Sequence, residues 1–345
     1  MPCMLAHYLV AEQARLGLPE GRLAGLLAAE HEAYAFGAQG PDFLFYSHVW
    51  PGRRSRADLA MLVHQHQMDE VFRSLLGQSV GLPADQRPAA LAFVCGYAAH
   101  LFLDAEAHPW TLYWTGDVTD GVTPEKRSAA LRRHNLLESS IDVVLRAERS
   151  ADPGWLRRQG LLRLRRATTH VVARLFERMF ADVYGVSFSA AEGRAAIRDM
   201  ALIYDAMTDR RAPLPRLLYL LAPLIDRDGA GRAQIYPDEP LPAAVDLMET
   251  RRRWYRPSEP GEPRSATFRE IMEDAATETG RFLEAVAALP DGGAGVDRAV
   301  AVIGDRSMLT GMPCDDPRPL LAFAPYAELI MQPRRAGAAG PAAVD

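Results

Sequence analysis

Apolar and polar positions along the chain recur mostly with helical period. Arg56 to Leu76 and Pro88 to Trp110 repeat apolar residues every three or four positions, the spacing that lines one face of an α-helix. Thr123 ahead of Pro124 reads as an N-cap before a first-turn proline, opening a helix carried to Arg149. Trp155 to Tyr184 interleaves Leu, Val and Phe with Arg at the same period. Thr267 with Glu270 forms a capping box for a helix reaching Leu289. Runs of Val, Ile and Thr with period two are scarce, so the predicted class is all-α.

Connectors rich in Pro and Gly fall at Ala35–Asp42, Leu82–Pro88, Asp226–Pro242 and Pro257–Pro263. None divides the front half from the rest, and no internal repeat is visible. The pattern predicts one helical domain over residues 1–331. Gln332 to Asp345 consists largely of Ala, Gly, Pro and Arg, which cannot build a core, and is predicted to be a disordered tail.

Composition narrows the function classes. With 48% hydrophobic and 24% charged residues the chain is neither disordered nor collagen-like. A net charge of −5 offers nucleic acid little electrostatic pull. The longest apolar stretch read from the sequence, Leu217 to Ile225, is interrupted by Pro223 and is shorter than the ~18 residues of a membrane span. Met1 to His7 lacks a basic stretch followed by an apolar one, which predicts a cytoplasmic protein. Cys3, Cys95 and Cys314 lie far apart without a CxxC, pointing away from a disulfide framework and from a cysteine zinc site. Arg157, Arg158, Arg163, Arg165 and Arg166 crowd one segment that could meet phosphate or anionic lipid; a solvated face is the simpler reading.

Histidine carries the chemistry. Eight of nine lie at or before His134, where even scattering would put about three or four. In His100-Leu-Phe-Leu-Asp104-Ala-Glu-Ala-His108, four residues advance ~6 Å along a helix and drift only ~40° around it, so all three side chains share one face. His100 and His108 stand too far apart for one ion but suit two, with Asp104 as a bridge; a buried polar stripe is the competing explanation. His134-Asn-Leu-Leu-Glu138 repeats the spacing on a second helix, and imidazole with carboxylate is an ordinary zinc pair. Asp142, one turn on, is a candidate to orient a ligating histidine. The loop Gly37-Ala-Gln-Gly40-Pro41-Asp42 can present a carboxylate from a stiff turn. His7 lies on an apolar segment, the usual setting of a core histidine. His64 and His66 face different directions on their helix, so at most one joins the others. His31, His48, His66 and His170 are read as structural or surface residues.

The ordered set His7, Asp42 in GAQGPD, His64, His100-x3-Asp104-x3-His108 with Pro109, and His134-x3-Glu138 resembles the zinc-dependent phospholipase C family. That family shares its all-helical fold with single-strand-specific zinc nucleases. The likeness is firm over residues 1–145 and extends to Leu289 through Trp254-Tyr-Arg-Pro257 and the Phe268–Leu289 segment. The resemblance implies two to three zinc ions: one on Asp42, His64, His100 and Asp104, a second on His108, His134 and Glu138. A third would be shared by His7, Asp104 and the terminal amine. The family's helix pattern favours His64 over His66. Secreted members space the middle aspartate and the next histidine more widely than x3 and begin with a metal-binding tryptophan, where this chain begins Met-Pro.

The expected function is hydrolysis of a phosphoester, as a phospholipase C-type phosphodiesterase acting on a substrate such as a phospholipid headgroup. Zinc would activate water, and Asp42 would orient or deprotonate it. Iron or manganese could occupy the same ligands. A nuclease-like phosphodiesterase and a non-catalytic metal-binding helical protein are the alternatives.

Overall fold

A computed structural model describes residues 3–47, 55–119, 121–150, 155, 159–207, 235–289 and 295–326. Among these are twelve α-helices: α1 (Met4–Leu16), α2 (Arg22–Ala29), α3 (His31–Gly37), α4 (Ala57–Gln65), α5 (Met68–Gly81), α6 (Arg87–Thr115), α7 (Pro124–Ala147), α8 (Arg166–Tyr184), α9 (Ala190–Met207), α10 (Pro242–Glu249), α11 (Phe268–Ala287) and α12 (Val296–Ile303). A 3₁₀ helix, Asp42–Tyr46, lies between α3 and α4. The described β structure is slight: a hairpin of β1 (Trp254–Tyr255) and β2 (Pro263–Arg264), with Trp254 opposite Arg264, and an isolated bridge between Arg306 and Pro313. The class is all-α, as the periodicity predicts. The tail from Gln332, His48, Leu217–Ile225, Arg157 and Arg158 lie outside the described residues, as do most of Asp226–Pro242 and the N-terminal amine.

Helix α6 is the axis of the molecule. It is apolar around nearly its whole circumference and buried from Ala89 to Thr115 except at Leu91 and Glu106. Such a helix can only be an interior one, and α1, α3, α5, α7, α8 and α11 pack around it. By length and composition it could cross a membrane, a stretch longer than Leu217–Ile225, but 89% of its apolar window is covered by the rest of the protein. Its closest neighbour is α3. A Cβ on Gly96 would lie 2.1 Å from the Tyr34 carbonyl oxygen, and one on Gly37 would lie 2.2 Å from that of Phe93. The two glycines therefore set the backbone-to-backbone approach, and α3 delivers the 3₁₀ helix to the middle of α6.

Local signals act where they are expected. Thr123 accepts the Lys126 amide ahead of Pro124, and α7 begins there. Both halves of the Thr267–Glu270 capping box are made. Three expectations need correction. The run Arg56–Leu76 is two helices, because Gln67 takes a left-handed φ of 54° while Asp305 accepts the Met68 amide at 2.9 Å and starts α5 afresh. The helical periodicity from Trp155 is interrupted: Trp155 and Gln159 are helical, but Gly160 is left-handed, Leu161 and Leu162 bury themselves from a turn, and α8 begins at Arg166. The Ala35–Asp42 connector is mostly ordered, its ends belonging to α3 and to the 3₁₀ helix.

Candidate metal centre

Five elements carry eight polar side chains to one place: His7 from α1, Asp42 from the 3₁₀ helix, His64 from α4, and five residues from α6 and α7. None is more than 6% exposed. Burying so many ionisable groups is costly unless each finds a partner, so their mutual geometry decides what they do.

The donors converge without satisfying one another. His64 Nε2 lies 3.2 Å from Asp42 Oδ1, and His100 Nε2 lies 3.8 Å from the same oxygen. His100 Nε2 is 3.1 Å from Asp104 Oδ2, while His7 Nε2 is 3.2 Å from Asp104 Oδ1. On the next turn His134 Nε2 is 3.1 Å from Glu138 Oε1, with His108 Nε2 at 3.9 Å. Yet Asp42 Oδ1, His64 Nε2, His100 Nε2, Asp104 Oδ2 and Glu138 Oε2 are buried and lack a hydrogen-bond partner among the described residues. Ligands at about 2.0–2.1 Å from a tetrahedral zinc stand about 3.3 Å apart, close to the shorter of these separations. The donor set of neutral imidazoles and carboxylates, left orphaned and facing inward, fits zinc.

Three triplets have ligand atoms within 4.8 Å of one another: Asp42–His64–His100, His7–His100–Asp104 and His108–His134–Glu138. Asp104 is the hub. Its two oxygens face His7 on one side and His64, His100 and His108 on the other. No cysteine joins any of these groups; Cys3, Cys95 and Cys314 are buried free thiols.

The far ring nitrogens orient the rings. A carbonyl oxygen only accepts, so His108 Nδ1, 2.7 Å from the Met308 carbonyl, must carry the proton, which frees Nε2 to face Glu138. His64 Nδ1 donates to the Ala60 carbonyl at 2.6 Å, leaving Nε2 toward Asp42. Gly40, at φ +52°, holds the turn before Asp42 against His100: a Cβ there would meet the imidazole Cδ2 at 2.3 Å.

Electrostatics follow from this crowding. Burial pushes Asp104 up, but the surrounding His108, His100 and His7 outweigh it and hold its carboxyl well below the usual range. Burial likewise opposes ionisation of Asp42, and His100 and His64 reverse the sign, holding it low. Burial depresses His7 and His64, yet Asp104 and Asp42 respectively raise both. His100 ends lowered, by burial and by His7, whose ring stacks on it at 4.4 Å.

The structure separates the remaining candidates. His66 points outward to an ion pair with Asp315, so His64 is the inward member of that pair. His31 pairs with Glu12, and His170 lies exposed beside Arg194. Arg163 and Arg165 are neutralised by Asp205 and by Glu30 with Glu32. Asp142 touches no ligating ring. It accepts the Leu5 and Ala6 amides at 3.1 Å and the Tyr236 hydroxyl, anchoring the first turn of α1 that carries His7.

Two supports escaped sequence reasoning. The backbone of Met308 accepts from His108 and donates its amide to the His64 carbonyl at 2.8 Å, tying two rings to one residue. Arg256 locks that loop: it is 3% exposed, donates twice to Glu106 and reaches the Thr310 carbonyl. Glu106 sits two residues from Asp104 and faces away from the cluster. No local pattern marks a backbone carbonyl two hundred residues from its partner.

The family model for zinc-dependent phospholipase C matches residues 6–186, just over half of the chain and a span that includes all eight side chains. The chain belongs to this family. The zinc-dependent phospholipase C match stops well before Leu289, so Trp254–Pro257, α11 and the Met308 loop lie beyond it. No curated protein and no solved structure gives a significant match.

Proposed function

We propose that this member of the zinc-dependent phospholipase C family hydrolyses phosphodiesters, with the phosphate of a phospholipid headgroup as the substrate class. The observation that carries the reading is the set of orphaned, inward-facing donors in three adjacent triplets, more than a structural ion needs. His108, His134 and Glu138 would hold one zinc; Asp42, His64 and His100 a second; and His7 with Asp104 a third, Asp104 being shared. When bound, zinc supplies Lewis acidity and draws the pKa of its water toward about 7.

The chain's own groups set the rest. Asp104 and Asp42 remain anionic because histidines surround them, so they offset cationic charge across the working pH range. Asp42, two residues after the Gly40 bend, would orient an attacking water through its second oxygen. The Met308 and Ala60 carbonyls fix the tautomers of His108 and His64 before substrate arrives, so no ring reorganises during reaction.

The test is a panel of a chromogenic phosphodiester, a matched carboxylic ester and a matched amide, with and without chelator. Cleavage of the phosphodiester that chelation abolishes and zinc restores is expected. Turnover that survives exhaustive chelation would remove the mechanism, and metal loading with no turnover of any phosphoester would favour a non-catalytic binding role.

A further inference from the structure

One buried polar group beside the cluster belongs to none of the triplets. Tyr46 ends the 3₁₀ helix that begins with Asp42; it is 6% exposed, and its hydroxyl oxygen has no hydrogen-bond partner among the described residues. Its backbone is held firmly. The Ser47 hydroxyl donates to the Leu44 carbonyl and accepts the Arg56 amide, and α9 packs along the 3₁₀ helix. The charged groups acting on the phenol are Asp42 and Glu138, which belong to two different triplets.

A buried hydroxyl without a partner is destabilising, and a phenylalanine would fill the same space without that cost. A second unpartnered phenol, Tyr97, also feels Asp42 and Asp104 and lies 6.1 Å from the His100 ring, but Tyr184 acts on it ahead of them and Phe72, Phe93 and Phe176 enclose its ring in the aromatic core. Burial, then Asp42 and Glu138, push the Tyr46 phenol up from its ordinary value, so it stays protonated and can only gain by donating. Asp42 and Glu138 would both serve as ligands when metal is bound. The acceptor missing from the surroundings of Tyr46 is therefore an oxygen that arrives with the ligand.

We propose that Tyr46 is a catalytic residue that touches substrate, its phenolic O–H donating a hydrogen bond to a non-bridging oxygen of the phosphoryl group. The proposal rests on the phosphoester reading. Negative charge on those oxygens makes the bond charge-assisted, and a rigid donor costs no reorganisation.

The experiment compares zinc-loaded wild type with Tyr46→Phe in three measurements: zinc content by elemental analysis, melting temperature, and binding of inorganic phosphate by calorimetry. Unchanged zinc, an equal or higher melting temperature, and phosphate binding weakened about tenfold or more are expected. On a phosphodiester that wild type cleaves, kcat should fall by roughly a hundredfold or more, the scale of losing one donor to a developing charge. Equal phosphate affinity and kcat in the two proteins would overturn the role of Tyr46 alone. So would loss of zinc or a lower melting temperature in Tyr46→Phe, since either would make the hydroxyl a structural support. Wild type that binds zinc but neither binds phosphate nor cleaves a phosphoester would overturn the phosphoester reading and this inference with it.

Discussion

Asp104 shows how much one side chain can be asked to do. Its two oxygens face His7, His64, His100 and His108, so removing it takes the carboxylate from the His7–His100–Asp104 triplet and from beside histidines of the other two, and leaves buried imidazoles facing each other. Asp104→Ala is expected to lose more zinc per chain than Asp42→Ala, whose carboxylate faces two histidines, His64 and His100, where Asp104 faces four. Elemental analysis giving equal losses would contradict the hub assignment. Asp142 acts at one remove. Truncation to Ala leaves the Leu5 and Ala6 amides and the Tyr236 hydroxyl without their acceptor, at a cost of about 1–3 kcal/mol for buried groups. Chemical denaturation of Asp142→Ala should show that loss. Zinc binding that involves His7 should weaken with it, because the first turn of α1 is no longer held.

Among elements, the crossing of α3 with α6 and the turn that follows make separable contributions. Gly96→Ala would drive a Cβ into the Tyr34 carbonyl at 2.1 Å, backbone against backbone, so the helices must move apart. Gly40→Ala meets the edge of the His100 imidazole instead, and adds strain because φ there is +52°. The first change should lower the melting temperature of zinc-free protein by several degrees, on the scale of a strained core. The second should leave more of the fold intact yet reduce zinc affinity, by displacing a ligand. Thermal melts of the two variants with chelator present, set beside their zinc titrations, would show whether fold and site separate in this way. The Met308 loop belongs to the same scale. Arg256→Ala removes its two hydrogen bonds to Glu106 and the one to the Thr310 carbonyl, and the loop that orients His108 and His64 should loosen, weakening zinc binding without touching a ligand.

For the whole molecule, zinc and protons compete for the same nitrogens. Asp104 raises His7 and Asp42 raises His64, against burial, in the zinc-free protein. A folded-state pKa above the unfolded one gives stability that is complete below the ordinary histidine value of about 6.5 and is lost as pH rises through the folded value. His100 is lowered and works in the opposite sense. Zinc requires neutral imidazoles and stabilises only the folded chain. The gap in melting temperature between zinc-loaded and chelated protein should therefore widen from about pH 6 to about pH 8. A gap that stays constant over that range would mean the histidines are not what zinc holds.

Spacing along single helices was enough to pair His100 with Asp104 and His108, and His134 with Glu138, because an α-helix returns to the same face every four residues. Periodicity also settled the all-α class, and cap chemistry placed the starts of α7 and α11. Helix spacing left His64 and His66 open and the family resemblance favoured His64; the outward pair of His66 with Asp315 separates them in space, and the role of Asp142 needed the approach of α1. Nothing local to His108 names Met308, nothing local to Asp104 names Arg256, and a tyrosine four residues after Asp42 is unremarkable until its hydroxyl is found buried without a partner. Helical repeats are fixed by bonds within one segment, so sequence determines them. Carbonyl acceptors, glycine crossings and orphaned hydroxyls exist only between segments brought together by packing, and the tertiary structure alone decides them.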